Sequence, residues 1–363
     1  MRVALLGSGL IGGSIGLALR RLDSVAEVVV YDRSEEAARR AVERGAADRH
    51  EATPAEAVRE ADVIFVATPV GAIANTIKAA IPGLKSGAIL TDVGSTKSRV
   101  VDEVTSILGA NVTFLGGHPM AGSEEDGIEG AKEGLFDGAW WILTPTPRVE
   151  PAAYRTLHGL LSGMGCHVIA LEPALHDELM AIISHLPHLT AATLMNMAAD
   201  HGKDKASLLS LAAGGFRDVT RVAASNPGIW IDICRENADA IVRALGEFID
   251  RLSELRDFVA RGATDDLQRR LESARLARRA LAGKRTDGEL FEVFIPIPDR
   301  PGVLAEVTTL IGNAGVNIED IQISHAEEGG RGVLRILILG EDESTKVHSA
   351  LSSKGYQPRS TSI

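Results

Sequence analysis

Several stretches of this chain place residue types at spacings that could do chemistry. Gly7-Ser8-Gly9-Leu10-Ile11-Gly12-Gly13 follows an apolar strand, Arg2 to Leu6, and opens a helical pattern whose Ile11, Ile15, Leu19 and Leu22 cover one face. Gly7 suits a tight turn, Gly9 lets backbone approach a pyrophosphate, and Gly12 lets the helix pack close to the strand. The helix N-terminus then aims free N–H groups at phosphates. A second strand, Val25 to Tyr31, ends in Asp32, where a carboxylate accepts ribose hydroxyls and repels a 2′-phosphate. Arg33, next to it, could receive that phosphate instead. The charge of Asp32 opposes it directly, so NAD rather than NADP is the expected cofactor.

Gly116-Gly117-His118-Pro119-Met120-Ala121-Gly122-Ser123-Glu124 follows a strand and carries a histidine among glycines. Oxidising an alcohol with NAD needs a group that accepts the hydroxyl proton, and an imidazole suits that near neutral pH. His118 is the candidate; bracing a loop is the plainer alternative. Ser184-His185-Leu186-Pro187-His188 puts two histidines on one helix face, disturbed by Pro187. No third ligand has metal-site spacing, so no metal is expected and one histidine reaching a substrate is favoured. The loop Gly214 to Arg221 precedes Pro227 and Trp230. Arg217 and Arg221, four apart, could grip a carboxylate bidentately, or pair on the surface with Asp218 or Glu236.

These residues need elements to hold them. Residues 1–171 alternate strand and helix, with further strands at Val63–Ala67, Ala88–Asp92, Val112–Leu115, Trp141–Leu143 and His167–Leu171. Continuous apolar runs of this kind predict a parallel, doubly wound α/β sheet of the Rossmann-like, dinucleotide-binding type. Ligands bind beyond the carboxyl ends of such strands, which puts Thr68-Pro69-Val70 and Asp92-Val93-Gly94-Ser95 beside the cofactor. Residues 172–282 read as an all-helical domain; Ile229 to Ala260 predicts one long amphipathic helix whose broad apolar face calls for a partner, hence a homodimer. Arg261 to Lys284 reads as a charge-rich helical linker. Residues 289–363 then predict a ferredoxin-like βαββαβ module. Its strands are Leu290–Ile297, Asn317–His325 and Gly332–Leu339, its helices open at Asp299–Leu304 and at Ser344, and a short tail ends it.

The chain's 363 residues carry a net charge of −11, which argues against a nucleic-acid or acidic-membrane surface and leaves anion binding to individual cations in a cleft. Cys166 and Cys234 stand apart from any CxxC, as in a reducing compartment. With no apolar run long enough to span a membrane and a strand beginning at residue 2, a cytoplasmic protein is expected.

Taken in order, Gly7 to Ser14, Asp92-Val93-Gly94-Ser95-Thr96-Lys97, Gly117-His118-Pro119-Met120-Ala121-Gly122, Ser184 to His188 and Gly215-Phe216-Arg217-Asp218-Val219-Thr220-Arg221 resemble the prephenate dehydrogenase family over roughly residues 1–255. Asp299-Arg300-Pro301-Gly302-Val303-Leu304-Ala305 with Gly315-Val316-Asn317-Ile318 resembles an ACT regulatory domain. The resemblance implies oxidative decarboxylation of prephenate to 4-hydroxyphenylpyruvate in tyrosine biosynthesis, with NAD accepting the hydride. It implies that His118 hydrogen-bonds the ring hydroxyl with support from Ser95, and that Arg221 holds a substrate carboxylate. Ser123, Glu124 and His188 would line the pocket, Trp230 and Gly214 would close it, and Leu10, Ile11, Gly12 and Thr68 would contact the cofactor. For the ACT-like module it implies tyrosine as feedback ligand, at Asp299, Gly302, Val303 and Leu304 facing Asn317 and Ile318 of a neighbouring module.

Three alternatives stand beside this. Arogenate dehydrogenase shares fold and motifs and differs in a keto or amino side chain on the substrate. A 3-hydroxyacid dehydrogenase would use a lysine in the helical region, where only Lys203 and Lys205 occur. A non-catalytic NAD- and amino-acid-responsive regulator would not need Ser95, His118 and Arg221 intact.

Overall fold

Val3–Leu6, Val28–Val30 and Val63–Val66 are buried along their whole length, as strands must be when helices cover both faces. The computed structural model, which describes residues 1–122, 125–203, 212–282, 290–298, 300–325 and 331–362, places them at the centre of a parallel sheet. Its strands are β1 (Arg2–Leu6), β2 (Glu27–Tyr31), β3 (Arg49–His50), β4 (Val63–Val66), β5 (Ile89–Asp92) and β6 (Thr113–Phe114). They run in the order β3-β2-β1-β4-β5-β6, so the direction of winding reverses between β1 and β4. The pleat sorts side chains between two cores. Val3, Leu5, Val30 and Phe65 join Ile15, Leu19 and Trp141 on one face, whereas Ala4, Leu6, Ile64 and Val66 join Ile73, Ile77 and Val104 on the other.

From β6 the chain passes straight into β7 (Gly116–Pro119), which pairs antiparallel with β8 (Trp140–Thr144); β8 pairs parallel with β9 (His167–Ala170). The start of the glycine-rich stretch is therefore itself a strand, and His118 lies on it and not on a loop. Its glycines are needed because it crosses the end of β5 at close range. A Cβ on Gly117 would lie 2.7 Å from the Asp92 carbonyl oxygen, and one on Gly116 would collide with Thr144 Oγ1.

Two further expectations change in the helical region, and a third is refined. The supposed single helix from Ile229 to Ala260 is two, Pro227–Glu236 and Ala238–Arg261. They break at Asn237, whose buried amide donates to the Asp177 carbonyl at 2.8 Å and so is held out of the helical path. The supposed loop from Gly214 is a short helix, Gly214–Thr220, continued by a tight turn, Arg221–Ala224. Before Leu186–Lys203 the chain makes a π-helical turn, Ala181–His185: Pro187 has no N–H for the carbonyl four residues back, and the preceding turn widens.

Contacts divide the chain into two compact units, Met1–Glu254 and Leu255–Ile363. The second contains the helix Thr264–Ala282, in the stretch read as a linker, and an antiparallel sheet in the order β11-β12-β10-β13. These strands are β10 (Leu290–Pro298), β11 (Asp320–His325), β12 (Arg331–Leu339) and β13 (Arg359–Ser362), with helices Val303–Asn313 and Glu341–Ser352 between them. Val293, Ile295 and Ile297 of β10 alternate into a core with Val307, Ile311, Val347 and Leu351. The short tail supplies the fourth strand, completing the ferredoxin-like βαββαβ order. No helix among the described residues is long and apolar enough to cross a membrane.

Candidate active site

At the carboxyl ends of β1 and β4 the chain forms a cradle. Gly7 has φ of +108° and donates to the Tyr31 carbonyl at 2.8 Å, a turn that strains any residue with a Cβ. A Cβ on Gly12 would strike the Gly7 carbonyl oxygen, so the helix Leu10–Leu19 can sit this close only with glycine there. Gly9, by contrast, faces open space among the described residues: none of their atoms lies within 4 Å of where its Cβ would be. No side chain among the described residues caps this helix, so its first N–H groups await an acceptor. Asp32 is held rigid, its Oδ2 accepting from Ser8 N at 2.8 Å and Ser8 Oγ at 2.9 Å, its Oδ1 from Ser34 N at 2.9 Å. Arg33 is exposed beside it.

A cleft of about 400 Å³ brings Gly9, Leu10 and Ile11 together with Thr68 and Ser95. Thr68 Oγ1 is buried with no hydrogen-bond partner among the described residues, as expected of a group that meets a ligand. Open backbone over Gly9, an uncapped helix N-terminus and a fixed carboxylate fit a dinucleotide. Asp232 and Ile233 of the helix Pro227–Glu236 close another wall of this cleft, a contribution sequence reasoning missed.

Behind the cleft lies a buried polar network. Lys97 is fully buried, its Nζ paired with Asp92 Oδ2 and donating to the Gly117 carbonyl at 2.8 Å. Asp92 also accepts from Gly94 N at 2.8 Å and Gly117 N at 3.1 Å. The end of β5 thereby grips β7 on both sides of its glycine, fixing the strand that carries His118. Burial holds the Lys97 amine below its ordinary pKa, against the pull of Asp92.

His118 Nδ1 lies 2.9 Å from His176 Nε2, and His176 Nδ1 lies 2.8 Å from Asp177 Oδ1. Asp177 accepts in addition from Lys97 N at 2.7 Å and Ser98 N at 2.8 Å. Burial raises the Asp177 carboxyl, but the bonds from His176 and from the two backbone N–H groups outweigh it and hold it below its usual range. Burial, with His176 and Lys97 nearby, pushes His118 well below the ordinary histidine pKa of 6.5. Burial likewise lowers His176, against the pull of Asp177.

On the helical side His188 stacks on Trp230 with ring centroids 3.5 Å apart and planes 7° from parallel, while His185 meets the same indole edge-on. His185 Nδ1 lies 3.2 Å from the Asn237 amide, and burial lowers its pKa to about 4. His185 Nε2 and His188 Nδ1 are buried without hydrogen-bond partners among the described residues. Gly214 and Arg221 are exposed on the adjoining short helix and turn. Ser123, Glu124 and Asp299 lie outside the described residues. In the second unit Gly302, at φ +84°, caps the helix begun by Val303 and Leu304, and Asn317 Nδ2 donates to Glu319 at 2.7 Å just before β11. Ile318 packs on that unit's core.

Sequence reasoning missed Asp92, Lys97, His176, Asp177 and Asn237. A signal existed for the first two, inside the Asp92–Lys97 stretch, and in the adjacent His176-Asp177. Nothing in their spacing tied His176 to a partner 58 residues away.

A dinucleotide cradle beside a half-buried, strand-borne histidine, closed by helices, defines an NAD-dependent oxidoreductase. Family models agree. "Prephenate dehydrogenase, nucleotide-binding domain" matches residues 15–170, "Prephenate dehydrogenase, dimerization domain" residues 172–273, and "ACT domain" residues 292–353. The chain is 34% identical to the prephenate dehydrogenase of Bacillus subtilis over 97% of its own length and 96% of that protein's. Its fold is similar to that of Aquifex aeolicus prephenate dehydrogenase, solved with hydroxyphenyl propionate and NAD+, with a TM-score of 0.73 and 30% identity over 77% of this chain and 98% of that one. Synechocystis arogenate dehydrogenase gives a TM-score of 0.69 and 31% identity, covering 77% and 100%. The chain belongs to the prephenate dehydrogenase family.

Proposed function

We propose that this enzyme converts prephenate to 4-hydroxyphenylpyruvate by oxidative decarboxylation, under feedback control by tyrosine through its ACT domain. The observation that carries the catalytic reading is His118: a half-buried, neutral imidazole on a strand pinned by Asp92 and Lys97, next to a dinucleotide cleft.

When bound, NAD supplies the acceptor for the hydride on the ring carbon that bears the hydroxyl. His118 Nε2 takes the hydroxyl proton as that carbon becomes a carbonyl. The bond from the ring to its carboxylate then breaks, carbon dioxide leaves, and the electron pair makes the ring an aromatic phenolate. His118 returns the proton to the phenolate oxygen, so the side chain is base and then acid with no net proton change. Ser95 supports the hydroxyl, and Arg221 takes a substrate carboxylate in a charge-assisted pair. His188 presents its buried Nδ1 to the substrate from its stack on Trp230, with Gly214, Ser123 and Glu124 completing the pocket. Leu10, Ile11, Gly12 and Thr68 contact the cofactor, and Asp32 selects NAD.

In this reading residues 1–171 hold the cofactor, 172–282 close over the substrate and form a homodimer, and 289–363 sense tyrosine. Exposed apolar side chains on the long helix, Val242, Ile249 and Leu252, support the dimer. The tyrosine site uses Asp299, Gly302, Val303 and Leu304 with Asn317 and Ile318 of a second module. A second reading, arogenate as substrate, is favoured by the likeness to the Synechocystis enzyme. Following NADH formation with prephenate and, in parallel, arogenate separates the two; the proposal requires higher kcat/KM with prephenate. Added tyrosine must lower the rate or raise the melting temperature, and failing both removes the sensor assignment.

A further inference from the structure

We infer that His176 and Asp177 are positioning residues that fix the tautomer of His118 and neutralise the charge it carries between taking the proton and giving it back. The inference rests on His118 being the base.

The argument is one of hydrogen-bond bookkeeping. Asp177 is a carboxylate, already accepting two backbone N–H groups, and can only accept from His176. His176 must therefore carry its hydrogen on Nδ1, leaving Nε2 as a lone pair. That lone pair lies 2.9 Å from His118 Nδ1, so His118 must carry its hydrogen there. Its Nε2 is then the bare nitrogen, the only form in which it can accept a hydroxyl proton. Without the chain, either nitrogen of a neutral imidazole can hold the hydrogen, and one of the two forms is inert.

The same chain answers an electrostatic problem. His118 is half-buried and has Lys97, His176 and His185 as its charged or titratable neighbours, all of which oppose a positive charge on it. Accepting a proton there requires a compensating anion. Asp92 is paired with Lys97, and Asp177 is the carboxylate that the histidine pair reaches. As Nε2 of His118 gains a proton, its Nδ1–H can move toward His176 Nε2 and the His176 Nδ1–H toward Asp177, spreading one positive charge over two rings that end on a carboxylate. When the phenolate forms, the shift reverses. No proton leaves the chain.

The arrangement also crosses a boundary in the molecule. His118 lies in the stretch matching the nucleotide-binding model, and His176 and Asp177 in the stretch matching the dimerization model. The base becomes competent only when the two halves are seated together. Asn237 Nδ2 holds the Asp177 carbonyl at 2.8 Å and secures that seat.

The test uses the full-length enzyme carrying Asp177→Asn and, separately, His176→Gln, which leaves the Asp177 bonds to Lys97 N and Ser98 N in place. Each is expected to lower kcat roughly 100-fold or more, by analogy with the loss of an orienting carboxylate behind a catalytic histidine, with substrate KM and NADH affinity held within about threefold. Each substitution is then repeated in a His118→Asn background. If the pair acts through His118, the residual rate changes less than about twofold there; an undiminished loss in that background overturns the inference, because it marks a merely structural role. A wild-type rate in His176→Gln also overturns it. Should His118→Asn itself retain activity, the proposed role of His118 fails instead, and the two failures are told apart.

Discussion

The two ends of the catalytic cleft are built by opposite means. The cofactor end, Gly7 to Asp32, uses backbone: an uncapped helix N-terminus, glycines that admit close approach, and one carboxylate fixed by Ser8 and Ser34. All of it comes from a single strand–helix–strand unit. The proton end uses buried charged and titratable side chains, gathered from β5, β7, the helix Pro173–Met180 and Asn237. A phosphate brings its own charge and needs only donors, which backbone supplies wherever a helix starts. A proton-accepting imidazole needs its neighbours' charges set in advance, and only side chains do that. The cofactor end should therefore fail gently and the proton end abruptly.

The largest effect expected is at His118 itself. His118→Asn should cut kcat by roughly 10²- to 10⁴-fold, the range for loss of a general acid–base group, while leaving NADH affinity measured by fluorescence unchanged. Equal losses in cofactor affinity would dissolve the distinction between the two ends. Next is Lys97→Met, which leaves Asp92 buried and uncompensated. Breaking a buried pair from one side costs about 3–5 kcal/mol, read as a lowered urea midpoint at constant slope. The exposed pair between Arg39 and Glu43 is the control: Glu43→Ala should change stability by less than about 1 kcal/mol.

How much of this was legible beforehand follows the same division. The central strands, the glycine cradle and the βαββαβ module could be read because each signal is local: a period of apolar residues, a turn residue, a carboxylate at fixed distance. Even the final strand was hidden only by its brevity. The break at Asn237 was not legible, because a helix interior tolerates asparagine; what excludes it is a bond to Asp177, 60 residues back. The strand at Gly116 and Gly117 was hidden for a similar reason. Their glycines answer to Asp92 and Thr144, which the fold and not the sequence brings near. Lys97 reads in isolation as a solvated cation, yet it is fully buried. Long-range polar pairing has no period, so it leaves no pattern to count.

The buried histidines sharpen the contrast through pH. His185 has its pKa lowered to about 4, and His118 and His176 are shifted in the same direction. Above pH 6.5 each is neutral whether folded or not, and stability is complete. As pH falls below 6.5 the unfolded chain takes up protons that the folded one refuses, so stability drops until the folded pKa is reached. For His185 alone this amounts to about 3 kcal/mol between pH 6.5 and 4. The melting temperature should fall through that window, and His185→Gln should flatten part of the fall. A melting temperature constant from pH 7 to 4 would mean these histidines are not buried as neutral groups.

The smallest effect belongs to the cofactor end. Asp32 accepts three hydrogen bonds, two on Oδ2 and one on Oδ1, which leaves Oδ1 with capacity for a ribose hydroxyl. In the proposed reading its charge also keeps a 2′-phosphate from the exposed Arg33. Asp32→Ala removes that repulsion and one acceptor while leaving the turn at Gly7 and the helix N-terminus in place. The ratio of kcat/KM for NADP to that for NAD should rise by roughly tenfold, a change of about 1.4 kcal/mol. kcat with saturating NAD should stay within about threefold, because neither His118 nor its partners are touched. An unchanged cofactor ratio would show that Arg33 cannot reach the phosphate, and that discrimination comes from the shape of the cradle instead of its charge.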